Sequence, residues 1–240
     1  MDHTAAEPAA HELDACRLVL AHGAGSDARF LELAFPADRL GVRETVVVDD
    51  RTGRIDRIMT ALAHAAADPV PTILGGVSLG AHAAAALLAR PDLPRHVVAG
   101  LLVMPAWTGH PDPVADLTHA AGDALAVLGP EGVLAELDPD DWVTPQLARA
   151  WAHRTAADLV QELLTAATQD APDAAAMARI SVPCAIVALA DDPLHPVSVA
   201  TRWQQLIPTS EQVSIPREGP GDGLWVFATA AREALLRLQI

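Results

Sequence analysis

The pentad Gly76-Val77-Ser78-Leu79-Gly80, set in ILGGVSLGAHAAAALLAR, constrains this chain more than any other segment. An apolar run precedes it and an Ala-rich stretch follows, so the chain passes from strand to helix through a turn centred on one serine. Glycines two residues to either side let strand and helix approach closely while Ser78 takes a strained backbone conformation. Such a turn holds the hydroxyl above a sheet, at a helix N-terminus where negative charge is stabilised. The structural alternative is a plain Gly-rich strand-to-helix turn that merely begins its helix with serine.

The same alternation runs through the chain. Short, mostly apolar runs at 16–21, 44–49, 72–75, 97–103, 182–189 and 211–215 read as strands covered on both faces. Ala- and Leu-rich stretches near 27–40, 54–67, 79–90, 196–207 and 223–238 read as the helices between them, so a parallel α/β sheet is expected. One connection is too long for an ordinary crossover: residues 108–179 read as a helical lid inserted before the strand at 182–189, over a core of 15–107 and 180–240. In that insertion Leu117, Ala121, Leu125 and Leu128 share a helical face up to Gly129-Pro130. Thr144-Pro145 then opens a second helix carrying Leu147 and Trp151, with Leu159 and Leu163 further along. Residues 1–14 read as a flexible tail.

Composition removes whole classes of function. Sixteen basic residues, all Arg, against 31 acidic ones give a net charge of −15, so nucleic-acid binding is not expected. The longest apolar run, Val97 to Trp107, is too short to span a bilayer, and the acidic, polar N-terminus is unlike a signal peptide, so a cytoplasmic protein with no membrane partner is expected. Cys16 and Cys184 each open an apolar run and read as buried small hydrophobes, and no metal-ligand spacing or cofactor motif is present.

With these residues in view, the chain resembles the α/β-hydrolase fold superfamily from Cys16 to the last helix. Besides the Ser78 elbow, Ala21-His22-Gly23-Ala24-Gly25 at the end of the first strand is similar to the family's His-Gly-x turn. The resemblance implies an oxyanion hole formed by the N–H groups of Ala24 and Leu79, with His22 pinning the turn. Leu189-Ala190-Asp191-Asp192-Pro193-Leu194-His195-Pro196 is similar to the family's acid loop, and counting back from Pro196 selects Asp192, with Asp191 second. The competing role for Asp192 is capping the helix that starts at Pro196. By the same resemblance the family's amino-terminal antiparallel hairpin is missing, leaving about six mostly parallel strands with the first two in inverted spatial order.

The family's third catalytic group is a histidine on the loop after the last strand. Aligned on Asp222 and Trp225, that position is Gly221, and no histidine follows His195. A serine with no base beside it stays protonated and is a weak nucleophile. Three readings remain open. Another histidine substitutes: His195 on the acid loop, His22, His82, or His110 or His119 from the insertion. Alternatively, the oxyanion site is kept for a lyase, isomerase or cyclase with Asp222, Asp192 or Glu218 as base. Or the chain is an inactive ligand-binding homologue.

Trp107, Trp142 and Trp151, three of the five tryptophans in a chain with 3% aromatics, fall on or beside the insertion and suggest an apolar chamber. His22 and Asp222 are further candidates for its wall. The leading expectation is esterase- or thioesterase-like hydrolysis of a small hydrophobic acyl substrate, with Ser78 as nucleophile, Asp192 as acid and His195 as the best-placed base.

Overall fold

The computed structural model describes residues 12–111 and 113–240. Six parallel strands form one sheet in the order β2-β1-β3-β4-β5-β6: β1 (Arg17–Ala21), β2 (Glu44–Val48), β3 (Thr72–Val77), β4 (Val97–Val103), β5 (Cys184–Leu189) and β6 (Ser210–Ile215). The first two strands are inverted in space, which puts a switch in strand order at β1 and β3. Ligands of open α/β sheets bind outside the carboxyl ends of strands at such a point.

Period-two alternation sorts each strand into two cores. Val19 and Ala21 of β1, with Cys184, Ile186 and Ala188 of β5, face α3 (Ile55–Ala65), α4 (Leu79–Leu88), α8 (Ala174–Met177) and α9 (Val197–Leu206). Leu18 and Leu20, with Ala185, Val187 and Leu189, face α1 (Ala28–Ala34), α2 (Ala37–Leu40) and α10 (Val226–Arg237). On β1 and β5 both faces are buried, which explains their runs without a polar side, whereas the edge strand β6, expected to be covered on both faces, is only half-buried and carries Glu211, Gln212 and Ser214. The helix expected over 27–40 is two helices. Pro36 has no amide to donate and pushes Phe35 out of the helical region (φ −129°, ψ 56°), so the chain bends before α2.

Between β4 and β5 lie α5 (Pro113–Glu136), α6 (Val143–Trp151), α7 (Ala156–Ala166) and α8. Gly129 breaks α5 at φ 69°, ψ 171°, and Pro130 opens the second limb, where its lost amide costs nothing. Leu125, Ala150, Trp151, Leu159 and Leu163 form a separate small core against which Ala24 packs. Ala166 and Met177 instead join the main core beside α4. Of the expected N-terminal tail, residues 1–11 lie outside the described residues, whereas Leu13 is buried in a short 3-10 turn, Leu13–Ala15. Among the described residues no helix is long and apolar enough to cross a membrane.

Candidate active site

Strand β3 runs two residues further than its β-branched pattern suggests, and it delivers the chain directly into Ser78. Ser78 sits at φ 54°, ψ −117°, a conformation that costs a non-glycine residue about 1–3 kcal/mol. The surrounding structure imposes it. A Cβ on Gly76 would lie 2.2 Å from the Gly80 carbonyl carbon, and one on Gly80 would lie 2.2 Å from Ala21 O. Ser78 N–H donates to Val103 O at 2.9 Å, tying the elbow to β4. Leu79 is the first residue of α4, so its amide has no acceptor within its own helix.

His195 reaches this serine. Its Nε2 lies 2.9 Å from Ser78 Oγ, and its Nδ1 lies 3.3 Å from Asp192 Oδ1. Histidine and acid thus come from one loop, three residues apart. The loop makes this possible because Asp191 takes φ 56° at the end of β5, and Asp192 Oδ1 then accepts the amides of Leu194 (2.8 Å) and His195 (3.1 Å). Asp192 therefore caps its own turn and meets the imidazole with the same oxygen. Burial raises the Asp192 carboxyl, but the hydrogen bond and charge of His195, the Leu194 amide and Arg217 outweigh it and hold the group below its ordinary value. Arg217, on the loop after β6, places Nε 4.0 Å from Asp192 Oδ2 and donates through Nη2 to Asp141 Oδ2 at 2.6 Å.

The other histidines point elsewhere. His82 is fully buried between Trp107 and Trp203, and its Nε2 accepts from Ala106 N–H at 3.1 Å. Burial, with the neighbouring His195, pushes it down to about 3, so it stays neutral. His22 is held by Gly23 O (2.8 Å) and Asp49 Oδ1 (2.9 Å). His110 and His119 pair with Asp170 and Asp123 on the surface. Asp222 and Glu218 are exposed.

Over Ser78 lies a cavity of about 350 Å³. Ala24, Leu79, Trp107, Trp151 and His195 line it, with Leu117, Val133, Leu147 and Leu163 from the inserted helices. Its polar end holds Asp138, Asp141 and Arg217. Three residues expected in its wall are not there. His22 turns away to Asp49. Trp142 packs on Phe30 and Phe227, in the core under α10, and donates to Arg217 O at 2.9 Å. Asp222 sits in the 3-10 turn Gly219–Asp222. Conversely, Arg217 and Asp141 belong to the site although no motif in the sequence marks them. The signal for Arg217 is its place directly after Pro216, on the same loop after the last strand that would carry the family's histidine. Among the described residues, no three His, Cys, Asp or Glu side chains converge as a metal site would require.

No protein-family model matches the chain, and no curated protein does. Solved structures do. MenH from S. aureus superposes at TM-score 0.69 with 19% identity, over 93% of this chain and 94% of its own. A thermophilic esterase from Thermogutta terrifontis gives 0.69 at 16% identity, over 94% and 91%. The enol-lactonase from Burkholderia xenovorans LB400 gives 0.64 at 16%, over 93% and 90%. At these identities the likeness concerns architecture, and it agrees with the strand order, the elbow and the acid loop: this chain has the α/β-hydrolase fold.

Proposed function

We propose that this protein is a serine hydrolase of esterase or thioesterase type acting on a small hydrophobic acyl substrate. The observation that supports it best is the 2.9 Å approach of His195 Nε2 to Ser78 Oγ on the floor of an apolar cavity. In this reading the Nδ1 proton of His195 is directed at Asp192, leaving the Nε2 lone pair for the serine. His195 takes the hydroxyl proton as Ser78 Oγ adds to the acyl carbonyl. The N–H groups of Ala24 and Leu79 receive the developing oxyanion, at the positive end of α4. His195 returns the proton to the leaving oxygen or sulfur, and then activates water to release the acyl group from Ser78. The acyl chain occupies the space between α5, α6 and α7, while the leaving group faces Asp138, Asp141 and Arg217.

The two competing readings require a different group at the serine. Elimination or isomerisation calls for a carboxylate there, and a binding protein calls for no base. The proposed carboxylates Asp222 and Glu218 are exposed on the loop after β6, and Asp192 is already committed to His195.

Intact-mass labelling with a fluorophosphonate tests the proposal. Wild type is expected to take one adduct, Ser78→Ala none, and His195→Gln to react about 10³-fold more slowly. Folded wild-type protein that stays unlabelled would exclude an activated serine.

A further inference from the structure

The turn assigned to the oxyanion is not held by the sheet alone. Gly25, the residue after Ala24, lies at φ 74°. Its N–H donates to Glu162 Oε1 at 3.0 Å, and its carbonyl accepts from Trp151 Nε1 at 2.8 Å. Both partners belong to the inserted helices, Trp151 ending α6 and Glu162 lying in α7. Two adjacent peptide planes of the turn are therefore fixed from above.

Glu162 is an unusual residue for its position. It shares a helical stripe with Leu159, Leu163 and Ala166, all buried, and is itself only 2% exposed. Arg154, in the connection between α6 and α7, forms an ion pair with it, and both side chains are buried. Burial pushes the Glu162 carboxyl up, against the opposing pull of Arg154 and the Gly25 amide. Such a pair is a poor way to stabilise a helix, because desolvation offsets most of the attraction and apolar residues of similar size do as well. What apolar residues cannot supply is an acceptor for the Gly25 amide.

The anchorage continues below. A Cβ on Gly53 would fall 2.3 Å from Glu162 O, so α7 is pressed at this residue onto the loop after β2. The same loop begins at Asp49, which holds His22 at the other end of the turn. Ala24 lies between these two ties, packed on the Leu125, Trp151 and Leu163 cluster and facing the cavity beside Ser78.

We propose that Glu162, set by Arg154, and Trp151 are positioning residues that aim the Ala24 N–H at the reacting carbonyl. Helices α6 and α7 are then a fixed roof that completes the oxyanion site, and they do not open as a gate. This rests on the serine-hydrolase reading. Substrate need not touch Glu162, which is absent from the cavity wall.

The test compares wild type with the double variant Glu162→Leu/Arg154→Leu, which removes the acceptor without stranding a buried charge, and with Glu162→Gln/Arg154→Leu, which keeps an oxygen for Gly25 and also leaves no charge unpaired. The readouts are kcat and KM for 4-nitrophenyl butyrate, and the affinity of a trifluoromethyl ketone of the same chain length, which mimics the tetrahedral state. The Leu/Leu double variant should lose about tenfold in kcat and a similar factor in ketone affinity, with KM within about twofold, as expected for one misdirected oxyanion donor. Glu162→Gln/Arg154→Leu should recover most of that loss. A folded Leu/Leu variant with a lowered melting temperature but unchanged kcat and ketone affinity would overturn the proposal, since Glu162 would then be structural only. Should the Leu/Leu variant not fold, Trp151→Phe removes the indole donor while keeping an aromatic ring. It should weaken ketone affinity more than KM, and equal effects on both would again overturn the proposal. Wild type that takes no fluorophosphonate adduct fails at the earlier step and removes the hydrolase reading with it. A labelled wild type with an indifferent Leu/Leu variant removes only the positioning role.

Discussion

Replacing Asp192 by Asn should be far milder here than in a triad whose acid and histidine come from separate loops. In such triads the change costs about 10⁴ in kcat, because the tautomer the imidazole then adopts is the wrong one. In this protein one oxygen, Asp192 Oδ1, accepts three donors: the Leu194 amide at 2.8 Å, the His195 amide at 3.1 Å and His195 Nδ1 at 3.3 Å. A carboxamide NH2 cannot face two backbone N–H groups, so in Asp192→Asn the two amides hold the carboxamide oxygen where Oδ1 was. That oxygen still accepts from Nδ1–H, and the working tautomer survives. What is lost is charge. Two unit charges 3.3 Å apart attract by about 5 kcal/mol at an effective dielectric constant of 20. The imidazolium is only partly formed in the transition state and the amide dipole keeps some of the attraction, so about half, 2–3 kcal/mol, is expected to disappear. That corresponds to a fall in kcat of about 30- to 150-fold. Asp192→Ala removes the acceptor altogether and should cost at least about 10³-fold. Steady-state hydrolysis of 4-nitrophenyl butyrate by both variants, with circular dichroism to establish folding, measures the difference. Equal losses near 10⁴ would refute the argument, since they would mean the turn amides do not fix the amide orientation. An Asp192→Asn variant as fast as wild type would refute the assignment of Asp192 as the acid.

Three further outcomes follow from the geometry. His82 is held neutral, with its proton affinity pushed down to about 3, so the folded state binds fewer protons than the unfolded one. Its contribution to stability is complete above the ordinary histidine value of about 6.5 and falls by up to about 1.4 kcal/mol per pH unit as pH drops towards 3. Urea unfolding between pH 7 and 4 should show a shallower pH slope for His82→Gln than for wild type, and parallel slopes would contradict this. Gly80→Ala would place a Cβ 2.2 Å from Ala21 O, which only a backbone shift can relieve, so stability should fall by about 3 kcal/mol or more; a urea midpoint unchanged from wild type would count against the elbow packing. Arg217→Met removes the Asp141 ion pair and the positive charge near Asp192, so kcat should decrease by less than about tenfold; a loss as large as that of Asp192→Ala would mean that Arg217 does more than steady the carboxylate.

The sequence made the sheet readable because β1 and β5 bury both faces and leave nothing polar in their runs, while glycine spacing made the elbow readable. Local competition is harder to see in one dimension. Phe35-Pro36 breaks a helix whose apolar pattern runs straight through it, and Gly129-Pro130 ends one helical limb only to start another. Trp142 reads as a chamber residue because it is one of three tryptophans in or beside the insertion of an aromatic-poor chain, yet its ring has better partners in Phe30 and Phe227, both remote in the chain. Glu162 carries a usable signal, a carboxylate on an otherwise apolar stripe, but not the identity of its donor, because Gly25 also lies far away in the chain.

The acid loop shows why the histidine was the hardest part to assign. Helix capping and the role of catalytic acid were competing explanations for Asp192, each accounting for an aspartate a few residues before Pro196. In the folded chain Asp192 does not cap that helix, whose N-cap Pro196 receives no side-chain bond; it caps the turn before it, with the same oxygen that meets His195. The two amide bonds that make Asp192 a turn-capping residue also bring His195 round three positions later, at a distance where its Nδ1 meets the same oxygen and its Nε2 meets Ser78. A histidine supplied from the distant loop after β6 would need that loop's position to be fixed independently. Supplied from the acid loop, it is aligned by a local turn stiffened by Pro193 and Pro196. In the proposed hydrolase the acid loop supplies both groups, so the loop after β6 carries no proton transfer and glycine is acceptable at Gly221, where a Cβ would meet nothing within 4 Å.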